Sequence, residues 1–158
     1  MNWQALFLSA EGRIRRKDFW IGGLILVVAG CLSVMFHILA PLIWLLLLYP
    51  WICVFSKRLH DFGKSGFLIL VPLAVGVIAL ILAMVFGGIG AIGALITAAN
   101  GGSEPSSWTM LFAALGVALA FLGVAGLVKL IFILWVGLSP GDTGENRYGP
   151  PQAAVPPI

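Results

Sequence analysis

The residues best equipped for chemistry stand side by side: His60 and Asp61, within Lys57-Arg58-Leu59-His60-Asp61-Phe62-Gly63-Lys64-Ser65. An imidazole beside a carboxylate can relay a proton or hold a ligand. The same pair set among cations can equally be an ionic clamp, with Asp61 accepting hydrogen bonds from Arg58, Arg16 or Arg147. A reaction centre would need a nucleophile or a second carboxylate close by. Neither accompanies His60 and Asp61, so no catalytic residue is expected and the chain is not read as an enzyme. Gly63-Lys64-Ser65 imitates the end of a phosphate-binding loop, but that motif needs a glycine five positions earlier, where Arg58 stands. These glycines fit a tight turn better, with Ser65 capping the next helix.

Other reactive side chains are sparse. Two histidines and two cysteines in the whole chain give no metal-ligand spacing, and neither a metal nor a cofactor is expected. His37 reads as an interfacial histidine. Cys31 and Cys53 fall inside apolar stretches, at levels that differ by about 13 Å on a ~1.5 Å rise per residue. A disulfide needs α-carbons within about 7 Å, so both are expected to stay reduced and apart. Lys129 is the one charge inside an apolar stretch; it stands close enough to the end of that stretch to snorkel.

The elements that position these groups follow from composition. Of 158 residues, 61% are hydrophobic and only 9% charged, against roughly 25% charged for a soluble domain. Mean hydropathy is +1.09. A soluble fold of this size cannot hide so much apolar surface, which excludes a soluble enzyme, a disordered chain and a disulfide-stapled secreted domain. Residues Phe19–Ser56, Ser65–Ser103 and Pro105–Val128 contain no Asp, Glu, Lys or Arg. About 20 apolar residues cross a bilayer core, so the first gap must fold back, and Pro41 is its breaker. The expected class is all-α: a single membrane domain, a bundle of four transmembrane helices over about 19–38, 41–56, 66–86 and 109–136. The glycine-rich run 87–108 is expected to be an outer connection, with 87–100 left open as re-entrant, interfacial or part of a longer helix. Residues 137–158 are expected to be a Pro/Gly-rich tail. In the segment 1–18, Trp3, Leu6 and Phe7 share one helical face, as in a short helix lying on the membrane surface.

Orientation follows from Lys and Arg. Arg13, Arg15, Arg16 and Lys17 precede the first helix, Lys57, Arg58 and Lys64 lie between the second and third, and Arg147 follows the fourth. Four spans with both termini cytoplasmic place all eight inside and leave the outer connections without a cation.

Three stretches in order carry a family likeness: Gly12-Arg13-Ile14-Arg15-Arg16-Lys17-Asp18-Phe19-Trp20, Lys57 to Phe67, and Gly141 to Pro151 around Asn146-Arg147-Tyr148-Gly149-Pro150. The chain resembles the bacterial inner-membrane family called domain of unknown function 805, from about residue 3 to 151. Lys57, Phe67 and Arg15 depart from that family's usual Arg, Trp and Ser, and 87–102 looks like an insertion. The resemblance implies a multi-pass bacterial plasma-membrane protein and no known chemistry. The three motifs meet on the cytoplasmic side, and their expected polar network is Arg13, Arg16, Arg58, His60, Asp61, Lys64, Asn146, Arg147 and Tyr148. The leading functional expectation is a structural or interaction role. Its partners are the bilayer and its anionic headgroups, or a second copy or another membrane protein; a basic inner-membrane face gives no reason to expect nucleic acid. The alternative is a small oligomeric transporter or channel, which the near absence of polar residues at mid-membrane disfavours.

Overall fold

Charge-poor stretches become long helices. The computed structural model describes residues 3–102 and 104–151, and all side chains among these except 104–107. The described residues form helices and turns, with no strand: α1 Trp3–Leu8, α2 Arg16–Ser33 with a 3-10 turn Val34–Phe36, α3 Ala40–Asp61, a 3-10 turn Gly66–Ile69, α4 Leu70–Ala99 and α5 Glu104–Leu138. Among the described residues, four stretches are long and apolar enough to cross a membrane: Arg16–Phe36, Ala40–Asp61, Gly66–Ala99 and Trp108–Leu138. At most 28% of the most apolar window of any of them is buried within the protein. Water would not tolerate that much exposed apolar surface, whereas lipid does. The chain is therefore an all-helical protein of multi-pass membrane type.

Contacts divide the chain into two compact units, Met1–Ile69 with Ile133–Ile158, and Leu70–Phe132. In the second unit α4 and α5 run antiparallel. Phe86 stacks on Phe121 with ring centroids 5.7 Å apart, and the Thr97 hydroxyl lies 3.5 Å from the Met110 sulfur. Between these points Gly87 and Gly90 face Ala118 and Ala114 so closely that a Cβ on Gly90 would strike Ala114. Small residues let membrane helices approach in this way. Of the alternatives open for 87–100, part of a longer helix is the one found: α4 continues through it to Ala99, and the connection is confined to the residues after it. In lipid the helix satisfies its own backbone, which outweighs glycine's poor helix propensity. Gly101, at φ +74°, ends the helix, and the Gly102 N–H returns to the Thr97 carbonyl at 2.9 Å.

The first unit is built on α3. Cys53, Val54, Leu59 and Val136 are fully enclosed, and the Phe19 ring meets Phe55 edge-on at 5.0 Å. Both cysteines are free, Cys53 buried and Cys31 exposed. α3 runs five residues beyond the expected end at 56, so Lys57 to Asp61 belong to its last turns rather than to a loop. Cations favour a helix C-terminus, and the stop comes only at Gly63. There the Gly63 N–H bonds the His60 carbonyl at 3.1 Å and the Lys64 N–H bonds Leu59 at 2.9 Å, with Gly63 at φ +70°, a Schellman ending. Ser65 caps the next turn, its hydroxyl accepting from the Phe67 N–H at 3.4 Å.

α1 is seated on α2 and α3. Leu6 is buried where Gly22 and Val54 approach it, and the Tyr49 hydroxyl donates to the Leu8 carbonyl at 2.9 Å. Gly22 and Val54 stand six and seven residues from the polar ends of their helices, roughly 9–10 Å along the axes.

Candidate functional site

The last turns of α3 carry the polar cluster. In a helix, residues three apart share a face, so Arg58 and Asp61 meet directly, Nη1 of Arg58 bonding Oδ2 of Asp61. Arg58 is the largest fully buried side chain of the described residues. Its Nε donates to the Val136 carbonyl at 3.1 Å, its Nη2 to the Ser139 carbonyl, and its Nη1 also reaches Ile14. Arg58 thus ties the end of α3 to the end of α5, whose last carbonyls have no partner within their own helix.

The other oxygen of Asp61 belongs to Arg13. Nε of Arg13 lies 3.2 Å from Oδ1, and both side chains are about nine-tenths enclosed or more. Nη1 donates to the carbonyls of Gly144 and Gly149, at 2.8 and 3.1 Å, while Nη2 donates to the carbonyls of Asp61 and Asp142. One guanidinium therefore folds the segment 142–149 back onto α3. The Asp142 N–H completes the join by donating to the Asp61 carbonyl at 2.7 Å. Gly141 is placed so that a Cβ there would overlap the Asp61 carboxylate.

The third motif forms the outer layer. The Asn146 side-chain amide donates to the His60 carbonyl at 3.0 Å and to the Asp142 carboxylate at 2.7 Å, and its oxygen accepts from the Tyr148 N–H at 2.9 Å. The Tyr148 ring lies parallel to His60, centroids 3.7 Å apart, and Nδ1 of His60 is 3.2 Å from the Gly12 carbonyl. Arg147 donates to the Gly63 carbonyl at 3.2 Å and covers Tyr148. Residues 152–158 of the expected tail lie outside the described residues.

Of the nine residues expected to form the network, Arg13, Arg58 and Asp61 form its centre, and His60, Asn146, Arg147 and Tyr148 its outer layer. Arg16 and Lys64 are exposed and lie outside its ion pairs, although Arg16 lines the same cleft as Arg58 and Asp61. The partners of Asp61 also differ from expectation: Arg58 is one, but the second is Arg13 rather than Arg16 or Arg147. Sequence reasoning missed three participants. Asp142 and Gly141 had no signal beyond their place in the third motif. Lys57, buried, points along α3 and donates to the Ala5 and Leu6 carbonyls at the end of α1. Among the described residues, no three of His, Cys, Asp and Glu come together as a metal set.

A family model described as "Protein of unknown function (DUF805)" matches residues 7–150. The chain is similar to the uncharacterized protein YiiR of Escherichia coli strain K12 and to its counterpart in strain O157:H7. Each is 28% identical, over 94% of this chain and 89% of the relative. No solved structure matches.

Proposed function

The chain belongs to the DUF805 family of proteins of unknown function, and from that premise we propose that it is a non-catalytic protein of the bacterial inner membrane. Both termini face the cytoplasm, and a motif-built clamp there presents a basic surface to anionic headgroups or to a protein partner. The observation that carries this reading is how the cluster satisfies itself. Both oxygens of Asp61 accept from buried arginines, and those arginines also donate to backbone carbonyls of the neighbouring segments. A carboxylate held between two buried guanidinium groups is kept ionised and fixed in place, which suits a role in holding three chain segments together.

Charge placement supports the orientation. Four spans with cytoplasmic termini put eight of nine Lys and Arg residues inside. Lys129, exposed on α5 nine residues from Leu138, is within reach of the same interface by snorkelling. Basic residues at an anionic leaflet gain about 1 kcal/mol each. The test is lipid selectivity of the purified chain. In neutral detergent, added phosphatidylglycerol is expected to raise the melting temperature and phosphatidylcholine is not. Equal responses to both lipids would remove the headgroup role.

A further inference from the structure

Resting on that reading, we propose that one anionic glycerophospholipid seats its phosphate in an open cleft at the start of α2, lined by Arg16 and Lys17. The cleft holds about 350 Å³ and opens to the surface, as a headgroup site at a membrane edge must. Arg15, Arg16 and Lys17 line it, with Arg58, Asp61 and Asp142 across from them. Most of these charges are already matched. Arg58 and Arg13 share Asp61, an excess of one positive charge that the Asp142 carboxylate lining the same cleft offsets in the count, and Arg15 pairs with Asp18 at 3.3 Å. Arg16 and Lys17 are exposed and lie outside these ion pairs. They leave the cleft with two unmatched positive charges, and an anion is the ligand class that fits.

The surroundings single out a lipid over a free anion. Arg16 is the first residue of a candidate span, the level at which headgroup phosphates lie. Trp20 and Leu24 follow it at intervals of four, on the same face of α2. Both are exposed, Leu24 to 64%, and Val27 continues the apolar track at 49%. A cation at the headgroup level, an interfacial tryptophan and then bare aliphatic side chains match the order of parts in a phospholipid: phosphate, glycerol ester, acyl chain. A soluble phosphate would use only the first.

The experiment titrates phosphatidylglycerol, phosphatidylcholine and inorganic phosphate against the melting temperature of the purified full chain in neutral detergent. It compares wild type, Arg16→Gln/Lys17→Gln and Lys64→Gln, which removes an exposed cation outside the cleft. Phosphatidylglycerol should stabilise wild type and Lys64→Gln alike. The double variant, altered only at exposed positions, should need roughly 30-fold more of that lipid for the same shift. An undiminished response in the double variant would overturn the cleft while leaving the basic-face reading intact. Equal stabilisation by inorganic phosphate would overturn the lipid assignment. A wild type indifferent to phosphatidylglycerol would bring down the broader reading as well.

Discussion

Replacing Asp61 with asparagine is the sharpest test of the clamp. The change keeps the side chain's shape and removes its charge. In the native cluster Oδ1 faces Arg13 and Oδ2 faces Arg58, and each guanidinium is 1% exposed. Asparagine offers one oxygen to one arginine and turns N–H donors toward the other. Two buried cations are then left confronting each other without a counter-ion. Breaking a buried pair in this way costs about 3–5 kcal/mol, consistent with two charge-assisted hydrogen bonds of ~1.5–3 kcal/mol each. At about 2–4 °C per kcal/mol for a chain of this size, melting in detergent should fall by roughly 6–20 °C. Intrinsic tryptophan fluorescence reads the transition. Arg13→Gln should be similarly costly, because it releases the segment 142–149. Combined with Asp61→Asn it should cost less than the sum, since both remove the same bond. Wild-type melting in Asp61→Asn, or strictly additive losses, would refute the clamp. A folded Asp61→Asn protein that had lost only its cellular role would instead return Asp61 to proton or ligand chemistry.

Other changes probe separate parts. Lys57→Met removes the ammonium that bonds the Ala5 and Leu6 carbonyls; hydrogen exchange over residues 3–8 should accelerate, and unchanged protection would show that Leu6 burial alone holds α1. Gly141→Ala forces a methyl into the Asp61 carboxylate and should cost about 1–3 kcal/mol, whereas Gly144→Ala, with nothing within 4 Å, should melt like wild type; equal behaviour of the two would mean the segment is not seated on Asp61. Reporter fusions should read cytoplasmic after Ile158 and periplasmic after Asn100, and a periplasmic reading at Ile158 would exclude four spans with a cytoplasmic N-terminus.

Spans were legible in the sequence because burying charge in lipid is costly, so charge-free stretches mark them directly. Helix ends were not, because the end of a charge gap is not the end of a helix. Lys57 and Arg58 close the gap, yet cations suit a helix C-terminus, and the helix stops only where Gly63 takes a left-handed conformation. The sequence leaves the glycine-rich run 87–100 open between a re-entrant, an interfacial and a continuous helical segment; α4 runs through it to Ala99, where Gly87 and Gly90 serve close approach to α5. Propensity is a weak guide where the backbone has no water to turn to.

The site was legible in kind and not in pairing. That Asp61 anchors a network could be read from one carboxylate among many cations. Which arginine joins Arg58 could not, because Arg13 and Arg16 are equivalent in composition and differ only in where the chain bends. Arg13 lies in the irregular segment before α2, where its side chain turns into the protein, while Arg16 opens the helix and faces out. The two arginines, three positions apart, divide the work of this face. The inward one closes the clamp at the cost of a buried charge, which Asp61 and four carbonyls offset. The outward one keeps its charge unmatched at the membrane edge. Exchanging their environments would leave the count of charges the same and destroy both roles, so it is the bend before α2, rather than the number of basic residues, on which this face depends.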